Sequence, residues 1–340
     1  MNIIKLNSET VTQAPCVATI GFFDGVHKGH RFLINHVIQE AADAGLQSTV
    51  ITFDRHPREV LKSDYVPQML SWLDRKMSLL GNTGIDNGVL LHFDKEMASL
   101  SSYDFMKEVL RDRLNVKKLV IGYDNRFGHN RDEGFDDYVR YGKELGIEVI
   151  HNQAFVLNGV NVSSSVIRSF LKDGEVEMAE MCLGYYYTIV GKVVHGYKQG
   201  RKMGFPTANL DMSDSHQLIP ALGVYAVKVH IEGENECRHG MMNIGRRPTF
   251  GGDDITLEIN IFDFAADIYG RKTIVDLLRS SLLKMINNMK KTLNVALDVL
   301  WYLVVFALVQ FVVTSAGGLL MIGIKGLPLS SISHILTTNA

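Results

Sequence analysis

One stretch of ten residues limits what this chain can fold into more than any other: Gly21-Phe22-Phe23-Asp24-Gly25-Val26-His27-Lys28-Gly29-His30. Ahead of it, Cys16-Val17-Ala18-Thr19-Ile20 is a short apolar run that suits a buried strand. Behind it, Leu33, Val37 and Ala41 recur at helical spacing. In an open parallel sheet such a strand-to-helix turn lies at the carboxyl end of a strand, where ligands bind. A helix N-terminus there offers free N–H groups and a positive dipole end to a phosphate. Gly25 and Gly29 let the backbone approach without a Cβ in the way. His27 and His30 can donate hydrogen bonds to non-bridging phosphate oxygens as charge builds in a transition state. Either histidine alone is as readily a packing or capping residue, and it is the whole pattern after a strand that points to phosphate chemistry. Neither a Walker A sequence nor G-x-G-x-x-G occurs, so a P-loop kinase and a dehydrogenase find no support.

A chain of 340 residues suits two domains with a large core. The formal net charge of −2 argues against a nucleic-acid partner. Cys16, Cys182 and Cys237 are odd in number and far apart, which suits reduced cytosolic thiols rather than a disulfide framework or a zinc site. Met1-Asn2-Ile3-Ile4-Lys5 lacks the basic-then-apolar build of a signal peptide.

Gly45 suits the C-cap of the first helix, and Ser48 to Phe53 is a second buried strand, completing a β-α-β unit. Asp54-Arg55-His56-Pro57 sits at that strand's carboxyl end. The spacing predicts helices over 72–80 and 102–114, the second with Phe105 and Val109 on one face. Gly88–Phe93 and Lys118–Gly122 are further strands, the latter followed by Tyr123-Asp124-Asn125-Arg126-Phe127-Gly128-His129-Asn130-Arg131. Glu148–Ile150 is a fifth strand, and Val162-Ser163-Ser164-Ser165-Val166-Ile167-Arg168 opens a helix with Ser163 or Ser164 as N-cap. Beyond residue 183 the composition changes to short strands and glycine-rich turns, as in a small β-barrel. Strands are expected over 224–231, 238–244 and 257–264, the last strictly alternating apolar and polar residues.

Taken together, these segments resemble the bacterial bifunctional riboflavin kinase/FMN adenylyltransferase (FAD synthetase) family. Residues 21–30 resemble its nucleotidyltransferase signature, and 52–57 its T-F-D-x-H-P stretch. Residues 122–131 resemble G-x-D-F-R-F-G-x-x-R-x-G, with Asn125 where an aromatic is commoner. Residues 162–168 resemble I-S-S-T-x-I-R, 195–209 the kinase module with its P-T-A-N element, and 243–250 N-I-G-x-R-P-T-F. The resemblance implies an α/β N-terminal nucleotidyltransferase domain, Rossmann-like with a parallel sheet, over 1–183 and a small β-barrel riboflavin kinase domain over 184–280. It implies that His27 and His30 serve adenylyl transfer. Gly21, Phe22, Asp24, Gly25, Lys28, Gly29, Asp124, Arg126, Arg131, Ser164, Ser165 and Arg168 would then hold ATP and its phosphates. In the barrel it implies MgATP on Gly204, Pro206, Thr207 and Asn209, the metal on Thr207 and Asn209, and Glu258 as the base for the riboflavin hydroxyl. The expected small molecules are ATP with Mg²⁺, riboflavin and FMN.

The resemblance runs from about Cys16 to Leu278 and stops. Where the family continues into a charged C-terminal helix over the flavin, residues 281–340 form a hydrophobic tail, and 299–324 carry no charge. About 20 such residues suffice to span a bilayer. Trp301 and Tyr302 near one end, and Lys284, Lys290 and Lys291 before it, place the catalytic domains in the cytoplasm, anchored to the inner membrane. Met289-Lys290-Lys291 before an apolar span also reads as the start of a separate membrane protein fused in frame. Two further functions stand beside the bifunctional enzyme. One is an FMN adenylyltransferase alone, its kinase impaired by the missing helix. The other is a membrane-tethered flavin- or nucleotide-binding module without turnover, which has no need of His27, His30 and Arg168 together.

Overall fold

The computed structural model describes residues 1–6, 14–61, 66–129, 133–196, 206–249 and 252–279. Strand β1 (Asn2–Leu6) is followed by β2 (Cys16–Ile20), which is buried at every position. A 3-10 turn over Asp24–Val26 leads into α1 (Lys28–Ala44), which buries Leu33, Ile34, Val37 and Ala41 and stops at Gly45 in the left-handed region. Then come β3 (Gln47–Phe53), α2 (Pro57–Leu61), α3 (Leu73–Gly81), β4 (Asn87–Leu91) and α4 (Lys95–Ser99). Helix α5 (Ser102–Asp104) widens into a π-helix over Phe105–Arg113, so the expected helix is present but more loosely wound. β5 (Val116–Ile121), α6 (Phe135–Leu145) and β6 (Glu148–His151) follow, then a small hairpin of β7 (Val156–Leu157) and β8 (Val160–Asn161).

The sheet runs β1-β4-β3-β2-β5-β6 with every pairing parallel. Strand order departs in both directions from β2, towards β3 on one side and β5 on the other, so the end of β2 is a topological switch point. Alternate residues of β2 serve opposite layers. Ala18 and Ile20 pack with the π-helix and α6, and Val17 packs with α1 and α3. A strand covered on both faces is a near-continuous apolar run, which is why this one, with Thr19 its one polar residue, carries no alternation. β1 was not expected from the sequence. It lies at the sheet edge against β4, half exposed, and its residues lack a clear period.

After α7 (Ser164–Lys172) and α8 (Val176–Leu183), the chain forms β9 (Tyr187–Val194), β10 (Ala208–Asp211), β11 (Gly223–Ile231), β12 (Arg238–Thr249), β13 (Gly252–Ile261) and β14 (Lys272–Arg279). These six close into an antiparallel barrel in the order β10-β13-β12-β11-β14-β9. The sequence places residues 243–250 between two strands, whereas β12 and β13 stay paired from Gly240↔Ile261 to Thr249↔Gly252. Glycine, arginine and proline made that stretch look like a turn, but ladder hydrogen bonds from the partner strand outweigh local preference. The barrel core also takes Ile167 and Leu171 of α7, Val176, Ala179, Cys182 and Leu183 of α8, and Leu70 from the connection before α3.

Among the described residues no helix is long and apolar enough to cross a membrane. The expected span 299–324, with the rest of the tail, lies outside them, as do Arg131 and Gly204.

Candidate active site

The turn after β2 is held in an unfavourable backbone shape. Phe23, Gly25 and Val26 all have positive φ, at 53°, 75° and 37°. For a β-branched valine this is an outlier that only surrounding contacts can enforce. Those contacts are present. Gly25 N–H donates to Ser71 Oγ at 3.0 Å, Tyr185 O–H donates to Gly25 O, and Arg31 Nε donates to Val26 O at 3.1 Å. The glycines serve packing here. A Cβ on Gly25 would stand 3.0 Å from the Leu70 side chain, and one on Gly29 would stand 2.8 Å from Val162 O.

Asp24 is buried and fully engaged. Its carboxylate accepts the N–H groups of Leu70 and Ser71 at 2.9 and 3.1 Å and pairs with Arg168. Burial raises its pKa, against the pull of Arg168. A carboxylate so placed orients the guanidinium and the 70–71 backbone, and repels a phosphate. Arg168 also donates from Nε to Gln68 O at 2.8 Å. Ser163 is the N-cap of α7, accepting from Val166 N, while Ser164 Oγ donates to Asp24 O at 3.2 Å.

His27 caps α1, its Nδ1 accepting the His30 N–H at 3.2 Å, so a neutral ring carries its proton on Nε2. The two imidazoles stack with centroids 3.6 Å apart. Burial, helped by Arg168 and Arg31, brings His27 down to about 3, and burial beside His27 puts His30 well below the usual histidine value. Both rings are therefore neutral at physiological pH. His30 Nδ1 is buried without a hydrogen-bond partner. Lys28 leans towards Gly184, where a Cβ would meet its side chain at 3.2 Å.

Above the ends of β2, β3 and β5 lies a pocket of about 1000 Å³. Its lining combines the apolar Phe53, Phe93, Met97, Leu100 and Phe105 with His56, Arg58, Arg126, Arg168 and Lys172. Of the residues expected to hold ATP, it brings together Gly21, Phe22, Arg126, Ser165 and Arg168. Asp24, Gly25, His27, Lys28, Gly29, His30, Asp124 and Ser164 do not line it. Asp124 is exposed. Asn125 Nδ2 donates to Ile20 O, which fixes this loop to the end of β2.

Sequence reasoning missed Lys76, Tyr185 and the 68–71 connection. Lys76 Nζ donates to Phe22 O, Thr52 Oγ1 and Phe53 O at 3.2, 3.1 and 2.8 Å. Its signal was present, because it falls four residues before Leu80, on the apolar stripe of α3. The 68–71 connection had none, since its role is carried mostly by backbone groups, the N–H of Leu70 and Ser71 and the carbonyl of Gln68, with the Ser71 hydroxyl beside them.

In the barrel, Glu258 is half buried on β13 and stands directly across from Asn209 on β10 and from Asn243 on β12. Pro206 O accepts from Asn260 at 2.9 Å, which ties the start of β10 to β13. Gly196 lies so close to Asn209 that a Cβ there would be 2.2 Å from the amide. Thr207 is half buried beside them. This set offers a hydroxyl, an amide carbonyl and a carboxylate, the hard oxygen donors that Mg²⁺ accepts alongside nucleotide phosphates and water. Among the described residues no group of three or more histidine, cysteine or acidic side chains could hold a metal, so a protein-only cage is absent there.

Residues 9–166 match the FAD synthetase family model, and residues 183–291 match that of riboflavin kinase. The chain is 39% identical over 264 residues to the bifunctional riboflavin kinase/FMN adenylyltransferase of Escherichia coli, covering 77% of this chain and 83% of that protein. It is 37% identical over 270 residues to the protein of that name from Haemophilus influenzae, covering 79% and 86%. A crystal structure described as a macrolide-efflux protein from Streptococcus pneumoniae is 30% identical and superposes with a TM-score of 0.73 over 86% of this chain and 97% of that one. With the parallel sheet and its histidine turn matching one model and the barrel the other, the chain belongs to the bifunctional riboflavin kinase/FMN adenylyltransferase family.

Proposed function

We propose that this chain makes FAD in two steps, phosphorylating riboflavin at the barrel and adenylylating FMN at the switch point of the sheet. The observation that carries this is the pocket at the end of β2. It joins apolar side chains to the cations Arg126, Arg168 and Lys172, and the turn that lends it Gly21 and Phe22 runs on to two neutral histidines. In the working division, residues 1–183 carry adenylylation and 184–280 carry the kinase.

In the kinase step the riboflavin 5′-hydroxyl attacks the γ-phosphorus of ATP, Glu258 takes the hydroxyl proton, and ADP leaves. Thr207 and Asn209 would hold Mg²⁺ with the nucleotide, and the ion would neutralise charge at the phosphates. Glu258 suits its role because its strand fixes it opposite Asn209 and Asn243. In the second step a phosphate oxygen of FMN attacks the α-phosphorus of ATP, the bond to the β-phosphate oxygen breaks, and pyrophosphate leaves. Little covalent work falls to the protein, which positions the reactants and stabilises charge. A neutral His27 with its proton on Nε2 is a donor suited to a phosphate oxygen. Arg168, turned by Asp24 and Gln68, holds phosphate at the pocket edge. Ser165 and the start of α7 add hydroxyl and backbone donors.

The test is chromatography of the products from riboflavin plus MgATP, and separately from FMN plus MgATP. FMN and FAD in the first mixture, and FAD with pyrophosphate in the second, are the expected results. No FAD in either mixture would leave only a binding module. The tail carries a second proposal, that 299–324 anchors the chain to the inner membrane and that losing the family's C-terminal helix weakens the kinase. Its support is the charge-free run in the sequence.

A further inference from the structure

Lys76 is 2% exposed, which is rare for a lysine. Its ammonium has three protons and three acceptors: the carbonyls of Phe22 and Phe53 and the hydroxyl of Thr52. The same ammonium lies 4.2 Å from the centre of the Phe22 ring. Phe22 follows β2 and Phe53 ends β3, neighbouring strands at the switch point, and both residues line the pocket. The last carbonyls of parallel strands have no further strand residue to pair with, and their partial negative charge opposes an anionic substrate. A buried ammonium beneath them removes that opposition.

We propose that Lys76 is a positioning residue for adenylyl transfer, gathering the ends of β2 and β3 onto one buried charge and making the pocket floor attractive to phosphate. This rests on the reading that the pocket takes FMN and ATP. Lys76 touches no substrate itself, because it is buried and does not line the cavity, whereas Phe22, whose ring its ammonium faces, does.

The same burial makes the device sensitive to pH. Desolvation brings Lys76 down to about 8, against the pull of Asp24 and Asp54. The charged and titratable groups facing it are Asp24 from the turn, Asp54 from the end of β3 and His30 from α1, with Arg168 of α7 engaging Asp24 from the other side. His30 stays neutral over the relevant range, Asp54 is held below the usual carboxylate value by its hydrogen bond to His92 against the effect of burial, and Asp24 is raised by burial against the pull of Arg168. Above about pH 8, then, Lys76 itself loses a proton. The amine left behind has two N–H groups for three acceptors and turns a lone pair towards one of them.

The experiment measures kcat/KM for FMN in FAD formation from about pH 6.5 to about pH 9.5, which reports groups of the free enzyme. It uses the full chain as wild type, Lys76→Arg and Lys76→Met, with riboflavin phosphorylation by the same samples as control. The wild type is expected to lose activity with a midpoint near 8, and Lys76→Arg to keep it, since a guanidinium stays charged. At neutral pH Lys76→Met should be lower by about tenfold or more, the scale for losing charge-assisted hydrogen bonds. Phosphorylation should follow none of this. A wild-type profile flat through the range, an alkaline limb that survives in Lys76→Arg, or a fully active Lys76→Met would each overturn the proposal. Should neither variant fold, carbon-13 NMR of the lysine side chains in the wild type decides. A buried lysine titrating near 8 and shifted by FMN supports the proposal, and one that does not titrate overturns it. Wild type that forms no FAD defeats the adenylyltransferase reading, whereas FAD formation indifferent to Lys76 defeats this proposal alone.

Discussion

At the scale of single residues, His27 shows how much a fold can change a side chain. In the unfolded chain its pKa is near 6.5, and in the native structure burial takes it to about 3. Between those values the unfolded chain binds a proton that the folded one refuses. The stability His27 contributes is therefore complete above about 6.5 and is lost as pH falls towards 3, by about 1.4 kcal/mol per pH unit. His30 adds in the same sense and Asp24, raised by burial, in the opposite one, so the useful comparison is between wild type and variant. His27→Asn keeps a capping acceptor for the His30 N–H and removes the titration. Urea unfolding at successive pH values should show a shallower acid decline in the variant, and equal slopes would show that His27 does not titrate in this way. In the barrel, Glu258→Gln should abolish riboflavin phosphorylation and spare adenylylation, since an amide cannot accept the hydroxyl proton. Undiminished FMN production by that variant would return Glu258 to the status of an ordinary polar strand residue.

Among the elements, the connection at 68–71 joins the two halves of the described fold. Its Leu70 and Ser71 N–H groups hold Asp24, Gln68 O holds Arg168, and Met69 pairs with the chain at His216 and Leu218 beside β9. Tyr187 O–H donates to Leu218 O at 2.7 Å from the same side. Leu70 has its side chain in the barrel core, while its backbone N–H donates to Asp24 in the turn after β2. Leu70→Ala should therefore lower stability by about 2–5 kcal/mol, the range for emptying a buried leucine site. It should also slow FAD formation more than phosphorylation, because Arg168 and the strained turn lose their support. The checks are an unfolding curve and the two product assays. A loss of stability under about 1 kcal/mol with adenylylation unchanged would show that the connection only links the two halves.

For the whole molecule, the open matter is the tail. Cell fractionation of the full chain, beside a version in which 281–340 are exchanged for the family's charged helix, should find the natural chain with membranes and its phosphorylation weaker. A natural chain found in the soluble fraction, with kinase activity equal to the exchanged version, would defeat both expectations. What the sequence determined by itself were the features with a local cause. The mostly apolar β2 announced a strand buried on both faces, Leu33, Val37 and Ala41 announced α1, and Gly45 ended it. The order of polar turns after strands announced a site at one end of a parallel sheet. It also carried the motifs that brought His27, Arg168, Asn209 and Glu258 into view. Only the tertiary structure decided what those residues touch. Asp24 reads as a phosphate-side residue until Leu70, Ser71 and Arg168 close around it. Gly29 reads as room for a ligand until Val162 fills the space. Lys76 is passed over in the sequence, for all its place on the apolar stripe of α3, until three acceptors around two strand ends converge on it. The reason is physical. Periodicity and turn chemistry act between near neighbours in the chain, whereas burial, charge pairing and the pKa values that follow arise between groups separated by tens of residues, and exist only once the chain has folded.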